Sequence, residues 1–542
     1  MRLPTTRHLP QRRLRTLLAT LAGLATIALA GCGGGGSTVS KLPPEHPGVR
    51  GPTSMFTPAG LDPNPSPMLD ELHTLGVDSV HVYMHWSDIA PNPTARQRPS
   101  FDAADPAAYP ASGWSTYDAA ARGIAARGMA MYVDLVPPVP RWASGPGAPH
   151  PASQTEWRPS AQAFALFVRA VGTRYSGHYV PPGGSRPLPR VRFWSIWNEP
   201  NYGPQLAPQV TPHTQVENSG LLYRGLVDAA WRALNATGHG HDTILIGEVA
   251  PAGVTYAGGV GSFNGMAPLR FLRALYCVDA SYRPLTGSAA TQRGCPSTSS
   301  ASSGFAAAHP GLFHASGFAD HPYPQGLPPN QPTPAEPDYA ELAEIGKVGQ
   351  TLDKLQRAYG SQTVFPIYST EYGYQTHPPD TEAGTVSQAA AADYLNWSEY
   401  LTWLNPRLRT YDQYLMTDPA AGFFATGLKS TAGVPKPSYA AFRMPVYLPV
   451  TSTARGHALV VWGCVRPAPN AARSSHRPQR VRVQFRASGG GAFKTVATVA
   501  ITNPHGYFEV PQKFPASGTV QLAFTYPHGP EITSRAVAIT LR

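Results

Sequence analysis

Eight short runs rich in β-branched and aromatic residues, each followed by a longer segment with helical spacing, succeed one another between Val49 and Phe442. They are Val49–Phe56, Ser79–Met84, Met129–Val136, Val191–Ile196, Thr243–Gly247, Gly317–Asp320, Phe365–Ser369 and Thr410–Leu415. Strands that alternate with helices need a crossover to return to the same sheet edge, so they lie parallel. The helical pattern is clearest in Ser160–Tyr175, where Phe164, Phe167, Val168 and Val171 recur at i, i+3, i+4 and i+7. Tyr339–Tyr359 and Gln388–Leu404 read similarly; Pro67–Leu75, Tyr117–Arg127, Leu221–Asn235, Ala267–Tyr276 and Ser438–Phe442 are shorter helices. Eight such units in roughly 400 residues predict an α/β fold, a (β/α)8 TIM barrel over 48–444. A doubly wound open sheet is the competing topology, but its usual Gly-rich phosphate turns are missing.

From Pro445 the pattern changes to alternating strands, Val481–Phe485, Lys494–Ile501, Tyr507–Val510, Val520–Tyr526 and Ala536–Leu541, separated by Gly, Pro and Asn turns. This predicts a small Ig-like β-sandwich accessory domain over 445–542. The net charge of +11 would suggest a polyanion partner if it covered the barrel. It does not. Residues 1–31 hold five Arg and no acid, and 445–542 hold nine Arg and two Lys against two Glu. The stretch between them has 27 basic and 30 acidic residues, so a nucleic-acid partner has no support there. The basic tail reads as a solvated face, with attraction to cell-wall polyanions as its rival.

The leader, residues 1–31, reads as a signal peptide: Arg2, Arg7, Arg12, Arg13 and Arg15 precede the apolar run Leu17–Ala30, which is short for a membrane span. It closes on Leu29-Ala30-Gly31-Cys32, which resembles the lipobox of bacterial lipoproteins, and a flexible Gly/Ser/Pro linker follows over 32–47. That resemblance implies acylation at Cys32 and an extracellular or cell-surface, membrane-anchored protein; cleavage near Ala30 and a secreted soluble protein is the alternative. Export exposes the other cysteines to an oxidising compartment. Cys277 and Cys295 bracket a Ser/Gly/Ala-rich loop and are expected to form a disulfide rather than a metal site, since no further ligand stands at suitable spacing. Cys464 is then expected to be unpaired and buried beside Val461 and Trp462.

In a (β/α)8 barrel the residues at the C-terminal ends of the strands form the site. Strand 4 runs into Trp197-Asn198-Glu199-Pro200-Asn201 and strand 7 into Thr370-Glu371-Tyr372-Gly373, placing two carboxyls at one mouth. Two facing carboxyls suit glycosidic-bond cleavage: one protonates the leaving oxygen while the other, ionised, attacks the anomeric carbon. Their mutual repulsion helps to separate their pKa values. These motifs, with His321-Pro322-Tyr323 and Trp86-Ser87-Asp88-Ile89-Ala90-Pro91, resemble the retaining glycoside hydrolases of clan A, especially families 5 (cellulase-like) and 39 (β-xylosidase-like), from about Val49 to Phe442.

The resemblance implies that Glu199 is the acid/base, Glu371 the nucleophile, and Asn198 the partner of the sugar 2-hydroxyl. It also places Tyr323 beside the nucleophile and His321 near substrate, although an ordinary loop histidine is an equal reading. Trp86, Trp142 and Trp197 follow strands 2, 3 and 4 and are expected as subsite walls, rim packing being the alternative. Glu248, after strand 5, lacks an Asn partner and is expected to be a supporting acid. Arg50 is a candidate for the family's strand-ending Arg, and strand 8 ends without the Trp common in family 5. The expected protein is a monomeric retaining β-glycosidase for β-linked oligo- or polysaccharides, an O-glycosyl hydrolase with no metal and no cofactor. Its partners are a carbohydrate substrate and a membrane reached only through a lipid anchor. A non-catalytic carbohydrate-binding lipoprotein is the alternative, although two glutamates are more than binding requires. Adhesion through the basic tail is a third reading.

Overall fold

The computed structural model describes residues 51–58, 60–255 and 259–542; the leader, Cys32 and Arg50 lie outside the described residues. Eight parallel strands run in the order of the chain: β1 Thr53–Thr57, β2 Ser79–His85, β3 Ala130–Val136, β4 Phe193–Ile196, β5 Thr243–Val249, β6 Gly317–Asp320, β7 Ile367–Ser369 and β8 Thr410–Tyr414. β1 pairs with both β2 and β8. The ring closes between β7 and β8, where the Ile367 N–H donates to Arg407 O and the Arg409 N–H to Ile367 O, each at 2.8 Å. A sheet closed on itself has no free edge.

The crossovers form where the sequence periodicity places them. The clearest is α1, Ala161–Arg174, where the Ser160 hydroxyl accepts the Ala163 N–H at 3.2 Å as N-cap. Its buried face holds Phe164, Phe167, Val168 and Val171. α2, Gln388–Leu404, has the predicted bounds. The pattern over Tyr339–Tyr359 yields a helix only at Ile345–Arg357; upstream, Glu341 turns inward to bond Thr333 and the chain forms a short 3-10 turn. The outward faces of the strands and the helices share one apolar core that includes Val80, Val82, Val133, Leu135 and Ile246.

The barrel lumen is layered. Met55, Tyr132, Leu245 and Ala319, with Phe193 and Tyr368 against them, fill its lower part with carbon. Above them the buried groups are polar: Thr57, His81, Asp134, Ser195, Glu248, Asp320, Thr370 and Asp412. Burying so many polar groups is costly unless they bond one another, which marks this layer as the place where structure serves something besides stability.

Downstream, β9 Ala458–Cys464 and β10 Tyr507–Lys513 pair antiparallel, with Val446–Tyr447 on the other edge of β9. A second sheet contains Gln479–Ala487, Lys494–Ile501, Gly518–Thr525 and Val537–Leu541. Leu459, Val461, Val483, Phe485, Leu522 and Phe524 form a core of their own between the sheets. The alternation missed β9 and a helix at Pro467–Ser475. Val461, Trp462, Gly463 and Cys464 are all buried, because one face of β9 meets the second sheet and the other meets the barrel.

The sandwich is welded to the barrel. Trp462, Cys464 and Tyr507 pack on Trp403 of α2. The Arg466 guanidinium pairs with Glu399 of α2, both fully buried, and its Nε donates to Phe442 O at 2.7 Å. The Tyr507 hydroxyl donates to Glu399 Oε1 at 2.8 Å. Cys277 and Cys295 are joined in a disulfide, and Cys464 is a free, buried thiol. No helix among the described residues is long and apolar enough to cross a membrane.

Candidate active site

The strand ends supply the site through local backbone departures. After β4 the chain adopts left-handed φ at Trp197 (71°) and Glu199 (40°), conformations that non-glycine residues take up at a cost. The Glu199 N–H is held by Glu248 O at 2.8 Å. Asn201 fixes the turn: its Nδ2 donates to Ala250 O (3.0 Å) and Met266 O (2.9 Å), and its Oδ1 accepts the Ala250 N–H (2.8 Å). In β5 the register with β6 shifts between Gly247 and Val249, a bulge that turns Glu248 into the lumen at φ 47°. Gly247 has φ 119°, and a Cβ there would lie 2.4 Å from Ala319 O, so only glycine fits.

Glu199, His321 and Glu371 meet at the mouth. A carboxylate oxygen of each glutamate and one imidazole nitrogen all lie within 4.8 Å of one another. His321 Nδ1 is 3.2 Å from Glu199 Oε1 and 3.6 Å from Glu371 Oε2, while Nε2 is 2.7 Å from Glu248 Oε2. Glu371 is buried and accepts from two phenols, Tyr83 at Oε1 and Tyr323 at Oε2 (2.9 Å). Burial pushes its carboxyl up to about 7, with the Glu199 charge adding to that; His321 and the two phenols oppose the rise. Glu199 is half-buried, and Asn198 beside it has a buried Oδ1 with no partner. Among the described residues, Glu199, His321 and Glu371 are the group spaced to hold a cation, but both imidazole nitrogens already face carboxylates.

Two of the expected sugar walls fail. Trp86 and Trp197 are fully buried. Trp86 stacks on Phe167 (centroids 5.4 Å apart) and meets Phe164 and Trp142, beneath the mouth rather than lining it. Trp197 packs on Phe164, and its indole N–H donates to Gln205 O at 3.0 Å. Left-handed φ at Trp197 swings its ring outward into the helix layer. Trp142 is half-buried against Trp86 and Phe101. The aromatic lining comes instead from Tyr323, Tyr414 and Phe424, the last from the loop after β8, with ring centroids of each pair 5.4–6.2 Å apart. An open cavity of ≈ 330 Å³ adjoins Tyr83 and is lined by His81, His85, Asp88 and Tyr117 among others.

Tyr83 was missed, yet it leaves a signal: in Ser79–His85 the polar or hydroxylated His81 and Tyr83 alternate with Val80, Val82 and Met84. A parallel strand buried on both faces should be apolar throughout, so that alternation marks a lumen-facing polar row. Phe424 left none, because it stands in a loop ten residues beyond its strand.

No protein-family model matches the chain, and no curated protein does. Among solved structures it is similar to a glucosidase from Croceicoccus marinus, at 12% identity over 86% of this chain and 94% of that one, with a TM-score of 0.47. A family 1 β-glucosidase from Thermotoga maritima is 16% identical over 67% of this chain and 80% of that one, with a TM-score of 0.40. The virulence factor SghA, solved with its substrate analogue salicin, is 17% identical over 70% and 83%, with a TM-score of 0.41. Likeness of this degree says nothing of substrate. The class of molecule rests on the (β/α)8 barrel with two carboxyls at its C-terminal mouth.

Proposed function

We propose that the protein is a retaining glycoside hydrolase acting on β-linked sugars by double displacement. The observation that carries this is the Glu199–Glu371 pair, whose nearest oxygens lie within 4.8 Å across the mouth. Retention goes with carboxyls about 5–5.5 Å apart, whereas an inverting water needs ~6.5–9.5 Å. Tyr83 and Tyr323 donate to Glu371, which suits an ionised nucleophile aimed at the anomeric carbon. Glu199, more open to solvent, gives its proton to the leaving oxygen and later takes one from water. Asn198, half-buried beside Glu199, is the side chain the turn offers to a 2-hydroxyl. In the second step a water oxygen bonds to the anomeric carbon, the bond to Glu371 breaks, and the water proton passes to Glu199.

Purified protein should hydrolyse at least one aryl β-glycoside in a broad panel, with the β-anomer as first product by NMR. An activated 2-fluoro glycoside should leave a covalent sugar on Glu371 by mass spectrometry. An α-anomer as first product, or a label on another residue, would refute the scheme. Export with a lipid anchor at Cys32 rests on the Arg-rich leader and the Leu29-Ala30-Gly31-Cys32 sequence. Cys32→Ala should then move the protein from the membrane fraction to the soluble exported fraction, and an unmoved variant would end that idea.

A further inference from the structure

Glu248 is fully buried at the mouth and takes no part in the double displacement. Four donors converge on its carboxylate: Tyr132 of β3, Ser195 of β4 (2.6 Å), His321 after β6 (2.7 Å) and Thr370 after β7 (2.6 Å). We propose that Glu248 is a positioning residue for the catalytic pair: by anchoring Nε2 of His321 it holds a doubly protonated imidazole with Nδ1 facing Glu199 and Glu371. This inference rests on the glycosidase reading and extends it.

The geometry argues for the cation. A neutral imidazole carries one N–H, but Nε2 faces the Glu248 carboxylate at 2.7 Å and Nδ1 faces the ionised Glu371 at 3.6 Å, besides Glu199, so each nitrogen has an anion before it. The imidazolium offers an N–H to each anion, and to Glu199 once it has given up its proton. Burial opposes its charge, yet Glu371, Glu199 and Glu248 together raise its pKa well above the ordinary histidine value. Glu248 likewise resists burial and falls to about 2, held down by His321 first and then by His81 and Ser195. The remaining groups around His321 add little charge near neutral pH. Burial raises Asp134 of β3, Asp320 of β6 and Asp412 of β8 well above the carboxylate range, and lowers His81 of β2 to about 4.

In the first step a Glu371 oxygen bonds to the anomeric carbon, the glycosidic C–O bond breaks, and the Glu199 proton passes to the departing oxygen. Glu199 thereby becomes a carboxylate 3.2 Å from the cation. No proton moves on Glu248 or His321; their charge stabilises the anion as it forms. The benefit should grow with the leaving group's need for a proton.

A double-mutant cycle of Glu248→Gln and His321→Gln tests this, reading kcat/KM on an alkyl β-glycoside and on a dinitrophenyl β-glycoside. Each single variant should lose about 10²-fold on the alkyl substrate and under about tenfold on the activated one. The double variant should lose no more than His321→Gln alone, because Glu248 acts through His321. Additive losses, or equal losses on the two substrates, would mean that Glu248 serves only packing. If a variant does not fold, ¹⁵N NMR of histidine-labelled protein decides: a histidine protonated on both nitrogens at pH 8 is expected in a His239→Gln background, since both nitrogens of His239 also face acceptors, Asp242 and the Gly172 carbonyl, and its absence overturns the inference. A wild type inert towards every β-glycoside would defeat the hydrolase reading, while the NMR result would still decide the Glu248–His321 pair.

Discussion

The protein buries charge in two places, and the two are built on opposite plans. At the interface between barrel and sandwich, one guanidinium, Arg466, meets one carboxylate, Glu399, and the Tyr507 phenol and the Phe442 carbonyl complete the set. At the barrel mouth three glutamates surround one imidazole, and burial, with the Glu199 charge adding to it, raises Glu371. A matched buried pair fixes how two surfaces dock, although hydrophobic substitutes of similar volume often serve stability equally well. An unmatched cluster is poor for stability, but it holds carboxyls with different proton affinities ready for chemistry. Burial raises a glutamate at both sites; what separates them is that one guanidinium answers Glu399, whereas Glu199, Glu248 and Glu371 share the single imidazole of His321.

The largest effect should come from breaking the unbalanced cluster. Glu371→Ala should lower kcat at least about 10⁴-fold on every substrate, with azide giving product of inverted configuration. Glu199→Ala should lose ~10²–10⁴-fold on poor leaving groups, far less on activated ones, and be rescued by azide with retention. Full activity in either variant, measured with both substrate types, would remove the chemical half of the contrast.

Breaking the balanced pair should hurt stability and spare chemistry. Arg466→Ala strands the Glu399 carboxylate and should cost about 3–5 kcal/mol in denaturant unfolding, with kcat per folded molecule unchanged. A fall in kcat without a fall in stability would show that the interface reaches the mouth. Trp86→Ala sharpens the boundary from the other side. As a fully buried ring it should cost about 3–5 kcal/mol without a selective rise in KM; a rise in KM at unchanged stability would restore it as a sugar wall.

The smallest effect is on pH. Glu371 must be ionised to attack, and its carboxyl is pushed up to about 7, chiefly by burial. Below that value the protonated, unreactive form accumulates, so kcat/KM should fall about tenfold for each unit of pH as the medium becomes more acid. A profile flat from pH 7 to 5 would show that burial at the mouth does not raise Glu371.

Much of this was legible beforehand because periodicity and strand ends are local properties. Gly317–Asp320, Lys494–Ile501 and Gln388–Leu404 fall where their sequences predict. Glu199 and Glu371 could be singled out because a barrel has only eight strand ends at its mouth. Side-chain direction was less legible. Trp86 and Trp197 stand at the right positions in the chain and point away from the mouth, and no periodicity reveals a left-handed φ at Trp197. Tyr83 was visible as a break in an apolar strand, but Phe424 reaches the site only because a loop folds back over β8.

The sequence by itself determined the order of elements, the parallel sheet and the pair of glutamates, since each follows from spacing along one segment. The tertiary structure decided which charges share a site. Glu199, Glu248, His321 and Glu371 are spread over 173 residues of chain and converge only when the ring closes between β7 and β8. Interaction energy depends on distance in space and on the dielectric around the charges, and neither exists until the lumen has formed. The same holds for Glu399 and Arg466, whose pairing joins two regions that look separate in the sequence.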